Sequence, residues 1–294
     1  MATRALVAPG TRGSSEYAPG SKKKWPAVLS RVLLVVVAIV FAFPLVWMVA
    51  TSLKPASDVF ASPPQLIGSE VKFSNYADVW TYVPFGQFML NGLLVSLLGT
   101  MLVVLVSLLA AYAFSRLRFR GRDKLFFVFL ATLMVPGEVV VVPMFLFMQQ
   151  FGWVNSYQAL IVPWAFGAFG TFLLRQALLS VPTELEDAAK IDGANHLRIL
   201  FQIMAPIVKP TLAVLVAFTF INYWNSFLWP LIIVNGPDKA TVPLGLNYFL
   251  GQGGAQWQLI MAASAISMLP TAALAIGLQK FLVRGISMTG IGGR

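Results

Sequence analysis

The chain has 294 residues, of which 58% are hydrophobic and 11% charged, against about 25% charged in soluble domains. That composition excludes a water-soluble globule and makes lipid the solvent. The absence of cysteine excludes disulfides, thiol nucleophiles and cysteine-held metals, and a single histidine, His196, leaves too few ligands for a typical zinc site.

The first stretch, residues 1–25, is rich in Gly, Ser, Pro and Lys and reads as a disordered basic tail before a membrane domain spanning 26–294. A membrane crossing needs about 20 mostly apolar residues. Val32 to Leu53 is the first such run, longer than the apolar core of a signal peptide and without a convincing cleavage site, so it reads as a retained anchor. An outer loop from Lys54 to Phe85 follows, with Tyr76, Trp80 and Tyr82 as candidates for an interfacial aromatic belt. The second span runs from about Phe88 to Ser115 and the third from Leu125 to Gln150. The third holds Pro136-Gly137-Glu138, a helix-breaking pair beside a carboxylate. A charge at the bilayer centre costs about 2.5–3.5 kcal/mol on insertion scales. Glu138 is therefore expected to face a wet solute path, to pair with a partner subunit, or to sit near the interface.

The fourth span covers Tyr157 to Leu179, where Gly167, Ala168 and Gly170 suit close helix packing. Next comes the polar segment of region 182–206. Thr183 and Glu186 have the spacing of a capping box, acidic residues fill the first helical turn, and Gly193 suits a left-handed stop. Leu185, Ala188 and Ala189 would form one small, mildly apolar face. The segment is either a docking helix for another protein or an amphipathic connector on the membrane surface, although such connectors are usually basic. The fifth span runs from Pro210 to Val234 and the sixth from Trp257 to Gln279. Asn222, Tyr223, Trp224, Asn225 and Trp229 in the fifth suit either a sugar path, through hydrogen bonds and aromatic faces, or helix packing.

Of the 21 lysines and arginines, 18 fall on one side of these six spans and only Lys54, Lys72 and Lys239 on the other. The positive-inside rule then places both termini in the cytoplasm. The formal charge of +10 is thus a topology signal and not a nucleic-acid footprint. The fold expected is all-α: a polytopic bundle of six transmembrane helices with a cytoplasmic polar helix.

At this point the residues resemble a known family. Asp187-Ala188-Ala189, Gly193 and Ile203-Met204-Ala205-Pro206 follow the spacing of the EAA signature of binding-protein-dependent ABC-importer permeases. Two positions depart from it, Asp187 for the usual Glu and Ala205 for the usual Leu. The resemblance continues in Thr51-Ser52-Leu53-Lys54, Asn75-Tyr76, Pro136-Gly137-Glu138, Phe172-Leu173-Leu174-Arg175-Gln176, Trp224 through Leu231, Gln279-Lys280-Phe281 and Arg284-Gly285. It is strongest to the second permease subunit of the maltose type, whose relatives serve sugars, sugar alcohols and glycerol-3-phosphate.

The resemblance implies a multi-pass subunit of a bacterial or archaeal cell membrane that pairs with a second homologous permease and two ATPase subunits. A periplasmic or lipid-anchored solute-binding protein would deliver the solute. Glu184, Leu185, Asp187, Ala188, Ala189, Gly193, Ile203 and Pro206 would couple the permease to ATP hydrolysis. Glu138, Asn222, Tyr223, Trp224, Asn225 and Trp229 are the substrate-path candidates. No G-x-x-x-x-G-K-[ST] loop occurs, so ATP and magnesium would belong to the partner ATPases, and no cofactor or metal is expected on this chain. The alternatives are a permease for glycerol-3-phosphate or another small solute, and a self-sufficient secondary transporter. The latter would need coupling-ion sites, for which Glu138 is the only carboxylate within a span.

Overall fold

The computed structural model describes residues 27–251 and 254–289. The expected tail, 1–25, lies outside them. The described residues are helical, with no strand among them. The chain divides into two compact units at Val46/Trp47. The long apolar helix α1, Ala27–Ser52, runs through that boundary and continues past Pro44.

Past α1, Lys54 folds back under the outer loop. It is 2% exposed, donates from Nζ to Gln65 O at 2.6 Å, and lies 4.8 Å from the Trp47 ring centroid. Asn75, at the start of α2 (Ser74–Tyr82), donates from Nδ2 to Ser52 O and Lys54 O at 2.8 and 2.9 Å. In the same loop Asp58 accepts the Ser69 N–H at 2.7 Å, which holds its carboxyl below the usual carboxylate range. Tyr76 is drawn inward, where its hydroxyl meets Ser52 Oγ at 2.8 Å, while Trp80 and Tyr82 stay exposed.

The centre of the second unit is α3, Phe85–Arg116. It packs against α7 (Ala168–Leu179) and α11 (Lys209–Trp224), and α11 packs in turn against α14 (Trp257–Thr289). Lipid is as apolar as leucine, so close van der Waals contact must hold these helices together. The contact face of α3 is accordingly small: Gly92, Ser96, Gly99, Thr100, Ser107 and Ala111 are buried. At Gly99 a methyl group would stand 2.6 Å from the Tyr223 ring, and one at Gly170 would collide with Ser107 Oγ. Gly170 and Ala168 thus take the packing role expected of them, whereas Gly167 has open space where a Cβ would project.

The other apolar segments are broken. The expected third span is two helices, α4 (Arg122–Ala131, extended to Met134 by a 3₁₀ turn) and α5 (Gly137–Gln150), bent by 101° at Val135-Pro136. The residue before a proline is pushed out of the helical region, and Val135 is extended at ψ 117°. The expected fourth span is a five-residue helix, α6 (Tyr157–Ile161), a turn through Pro163, and α7. The polar region forms α8, Glu184–Ile191. A run from His196 to Ile207 follows, made of α9 (His196–Arg198), a π-helical stretch (Ile199–Met204) and α10 (Ala205–Ile207). It meets α11 at 85°. Pro206 has no N–H to return to Gln202 O, and the wider π turns lie just before it.

The expected fifth span stops at Trp224, and its remainder is the short α12, Leu228–Ile233. A further short helix, α13 (Val242–Leu246), precedes α14. By length and composition, three described helices are long and apolar enough to cross a membrane, or five if each bent pair is one crossing. The difference from six lies in residues 157–179, where neither piece alone reaches the required length.

The seam at α3 yields a test. Gly99→Leu should lower the melting stability of the purified protein by about 1–3 kcal/mol, the usual cost of overpacking a tight contact. Gly277→Ala, where a methyl meets nothing within 4 Å, should leave it unchanged. Thermal unfolding in detergent distinguishes the two.

Candidate functional site

Two regions carry the candidate residues. The first is a cavity of about 430 Å³ walled by α3, the start of α5, the α6–α7 break, α11 and α12. Glu138, Asn222, Tyr223 and Trp229 line it; Trp224 and Asn225 do not. Glu138 lies in the first turn of α5, just past the 101° bend, and is exposed to the cavity. A helix N-terminus favours a carboxylate there. Among the described residues it is the only carboxylate on the lining, and neither lysine nor arginine joins it.

Tyr223 and Trp229 have a second task. Tyr223 donates its hydroxyl to Ile161 O at 2.8 Å, and Trp229 donates Nε1 to Ala159 O at 2.8 Å. Both acceptors belong to α6, whose helix stops at Ile161 and leaves carbonyls without helical partners. Non-helical backbone at membrane depth is tolerated only where protein or water satisfies it, and these two aromatics supply that. Trp164, in the break itself, meets Trp229 edge-on at 5.7 Å. Trp224 is a packing residue: it is 3% exposed, stacks on Phe220 and donates Nε1 to Ser267 O at 3.0 Å. Asn225 is exposed at the end of α11, where its N–H closes the helix on Ile221 O.

The second region is the end of the bundle around α8. Glu184, Leu185, Asp187 and Ala188 are exposed, and Ala189 is buried in a cluster with Tyr112, Leu178 and Ile199. The expected common face of Leu185, Ala188 and Ala189 is therefore split: the first two point out and Ala189 points in. Gly193 adopts φ +78°. Its N–H reaches Lys190 O at 3.0 Å and that of Ala194 reaches Ala189 O at 2.9 Å, the paired bonds of a Schellman stop. Ile203 packs against the buried cluster, and Pro206 is exposed.

The capping box does not form. Thr183 is helical, at φ −70° and ψ −24°, and its side chain caps nothing. Glu186 is turned inward instead, its side chain 5% exposed beside an equally buried Arg116, with Oε2 3.6 Å from Arg116 Nε. Glu186 Oε1 also accepts the Tyr112 hydroxyl at 2.9 Å and lies 3.5 Å from Lys190 Nζ. A buried guanidinium outcompetes an exposed backbone N–H for that carboxylate, because an unpaired buried charge is far costlier than an open helix end. The cap that does form is at Asn195, which accepts Arg198 N–H at 2.9 Å. Sequence reasoning missed Arg116, Tyr112 and the inward role of Glu186. Arg116 looks like one more topology arginine in a basic loop, and only the spatial return of α8 onto α3 distinguishes it.

Comparisons with known proteins bear on the family and the fold. A model of the family described as "Binding-protein-dependent transport system inner membrane component" matches residues 103–288. The sn-glycerol-3-phosphate transport system permease protein of Pectobacterium atrosepticum is 36% identical over 88% of this chain and 95% of that protein. The arabinooligosaccharides transport system permease protein of Halalkalibacterium halodurans is 31% identical over 92% of this chain and 100% of that protein. The fold matches a chain in the crystal structure of a bacterial ABC transporter that imports the acidic polysaccharide alginate. The TM-score is 0.78 at 23% identity, over 87% of this chain and 95% of that one.

The cavity wall gives a prediction. Tyr223→Phe leaves Ile161 O without its donor and should cost about 1–3 kcal/mol of stability, the penalty for an unsatisfied buried acceptor. Glu138→Gln, at an exposed helix start, should leave the melting temperature within experimental error. The same detergent unfolding assay reads both.

Proposed function

The chain belongs to the family of binding-protein-dependent transport system inner membrane components, and from that premise we propose that it moves a sugar or related polyol into the cytoplasm. It does so as one of two homologous permease subunits, driven by two ATPase subunits and supplied by a solute-binding protein outside. Six crossings, with residues 157–179 serving as a kinked fourth, put both termini and α8 on the cytoplasmic face. The observation that carries the reading is α8 itself. It is a short acidic helix with Leu185 and Ala188 exposed, stopped sharply at Gly193 and rooted in the bundle by its other face. Such a helix suits a groove on an ATPase, and Glu184, Asp187 and Lys190 stand around that exposed face to fix its register. Family membership sets aside the secondary transporter.

The solute class rests on the cavity and on the relatives. Trp164, Trp229 and Tyr223 offer aromatic walls, and Asn222, Thr219 and Ser226 offer hydrogen-bonding groups, which together suit hydroxylated rings. Two relatives are named for arabinooligosaccharides and for sn-glycerol-3-phosphate. A carboxylate unaccompanied by any cation on this wall favours the neutral solute over the phosphate ester.

Three measurements test the reading. Affinity purification from native membranes should bring down an ATPase with a P-loop. Ala188→Arg should abolish that association at matched expression, because an arginine on the docking face would be buried without a partner, at several kcal/mol. Gly193→Pro should abolish uptake, since proline cannot take the left-handed turn, whereas Asp187→Glu should be mild. Undiminished ATPase association in Ala188→Arg would make α8 a connector. For topology, cysteine at Gly68 should react with an impermeant thiol reagent in intact cells and cysteine at Gly13 should not; the reverse labelling would invert the orientation.

A further inference from the structure

One cluster is unexplained by docking alone. Arg116 is the last residue of α3, and its side chain spans three elements. Nη2 donates to Leu178 O at 2.7 Å and to Val181 O at 2.6 Å, the two carbonyls at the end of α7 and the start of the turn into α8. Nε faces Glu186 Oε2 on α8 at 3.6 Å. One helical turn earlier on the same face of α3, Tyr112 donates to Glu186 Oε1 at 2.9 Å and meets His196 Nδ1, on α9, at 3.0 Å. A single buried carboxylate is thus held by two side chains of one membrane helix. The same arginine also grips the carbonyl end of a second membrane helix.

A docking helix needs only an exposed face and a firm stop. It does not need a buried charge pair, which packed apolar residues could replace without loss of stability. What the cluster adds is direction: the charge-assisted bonds of Tyr112 to Glu186 and of Arg116 to the two α7-end carbonyls are short and angle-dependent. Arg116 and Glu186 attract across 3.6 Å without a hydrogen bond of their own, so displacement of α8 is resisted by both α3 and α7. Both of those helices wall the cavity, α3 through Val95 and Val103, and α7 through Ala168's neighbours Phe169 and Gly170.

We propose that Arg116, with Tyr112, is a positioning residue for coupling. Through Glu186 it forms the joint that transmits displacement of α8 to the cavity-lining helices. The inference rests on the docking role of α8. It goes further in assigning force transmission to the inner face, separately from ATPase binding at the outer face of Leu185 and Ala188.

The test uses the native complex with its co-purified ATPases in proteoliposomes. Since the chain has no cysteine, Ser226→Cys places a single reporter on the cavity wall, and its rate of modification by a cationic methanethiosulfonate reads the cavity's access. ATP with vanadate should change that rate about tenfold in the otherwise unaltered chain, within the usual span of coupling between sites. The double variant Arg116→Met with Glu186→Met removes both buried charges together, at the cost of the donor to Leu178 O and Val181 O. It is expected to retain the ATPase and its hydrolysis while the ATP-dependent change in labelling falls below about twofold. Arg175→Met removes an arginine that binds Phe114 O and Asp123, and should keep the full change. If the double variant does not assemble, Glu186→Gln, which keeps an acceptor for Tyr112, should reduce the change in labelling by at least half. An undiminished change in either Glu186 variant overturns the joint. So does loss of the ATPase from an assembled double variant, which would make the pair part of the docking surface. Failure of the docking role itself is read separately, from undiminished ATPase association in Ala188→Arg.

Discussion

The constraint that governs this structure is that a backbone broken inside an apolar bundle must find donors for the carbonyls the break releases. With no water in the hydrocarbon to meet them, each orphan carbonyl would cost several kcal/mol. At several interruptions a side-chain donor from another element meets them, whereas the bends at Val135-Pro136 and before Lys209 are closed by local backbone bonds. Tyr223 and Trp229 serve α6; Arg116 serves the end of α7; Asn91 donates to Asp238 O and Ala240 O before α13; Lys239 donates to Asn155 O; Lys54 and Asn75 serve the outer loop. The polar residues of the apolar segments are therefore mostly structural. They are what permits helices to bend, and the bends are what open a cavity.

The same constraint explains how much was legible beforehand. The stop at Gly193 and the small-residue packing at Gly170 follow from local chemistry and took the form expected, whereas of the six apolar runs the third, fourth and fifth are broken. The break at Val135-Pro136 was expected from the Pro136-Gly137 pair, whereas the one after Ile161 was visible only as Pro163; there the form of the break depends on the distant donors Tyr223 and Trp229. Trp224 and Tyr223 are neighbours with similar chemistry, yet one is sealed against Ser267 O and the other borders the cavity, a distinction of about 100° around a helix whose orientation no single sequence specifies. Glu186 was misread for the same reason. Its spacing from Thr183 is a local pattern, and the arginine that overrides it is 70 residues away in the chain.

The candidate residues divide along the bundle in a similar way. At one end, a carboxylate at a helix start and a set of aromatic edges border the cavity, with their backbone obligations met elsewhere. At the other, a charge pair buried beside an apolar cluster joins three helices. Between them runs α3, whose small residues let α7 and α11 approach closely enough to behave as one body.

The opposed burial of Ala188 and Ala189 has a consequence for how variation in this segment should be interpreted. Adjacent, chemically identical residues stand under different physical constraints, one exposed and one buried. Enlarging Ala189 presses on Leu178 and Ile199, and would be felt by this chain during its own folding, whatever partner it meets. Enlarging Ala188, which is exposed, alters a surface shape and not the packing beneath it. A pair that looks like one repeated letter thus carries two constraints, one set by the protein's own packing and one by its surface.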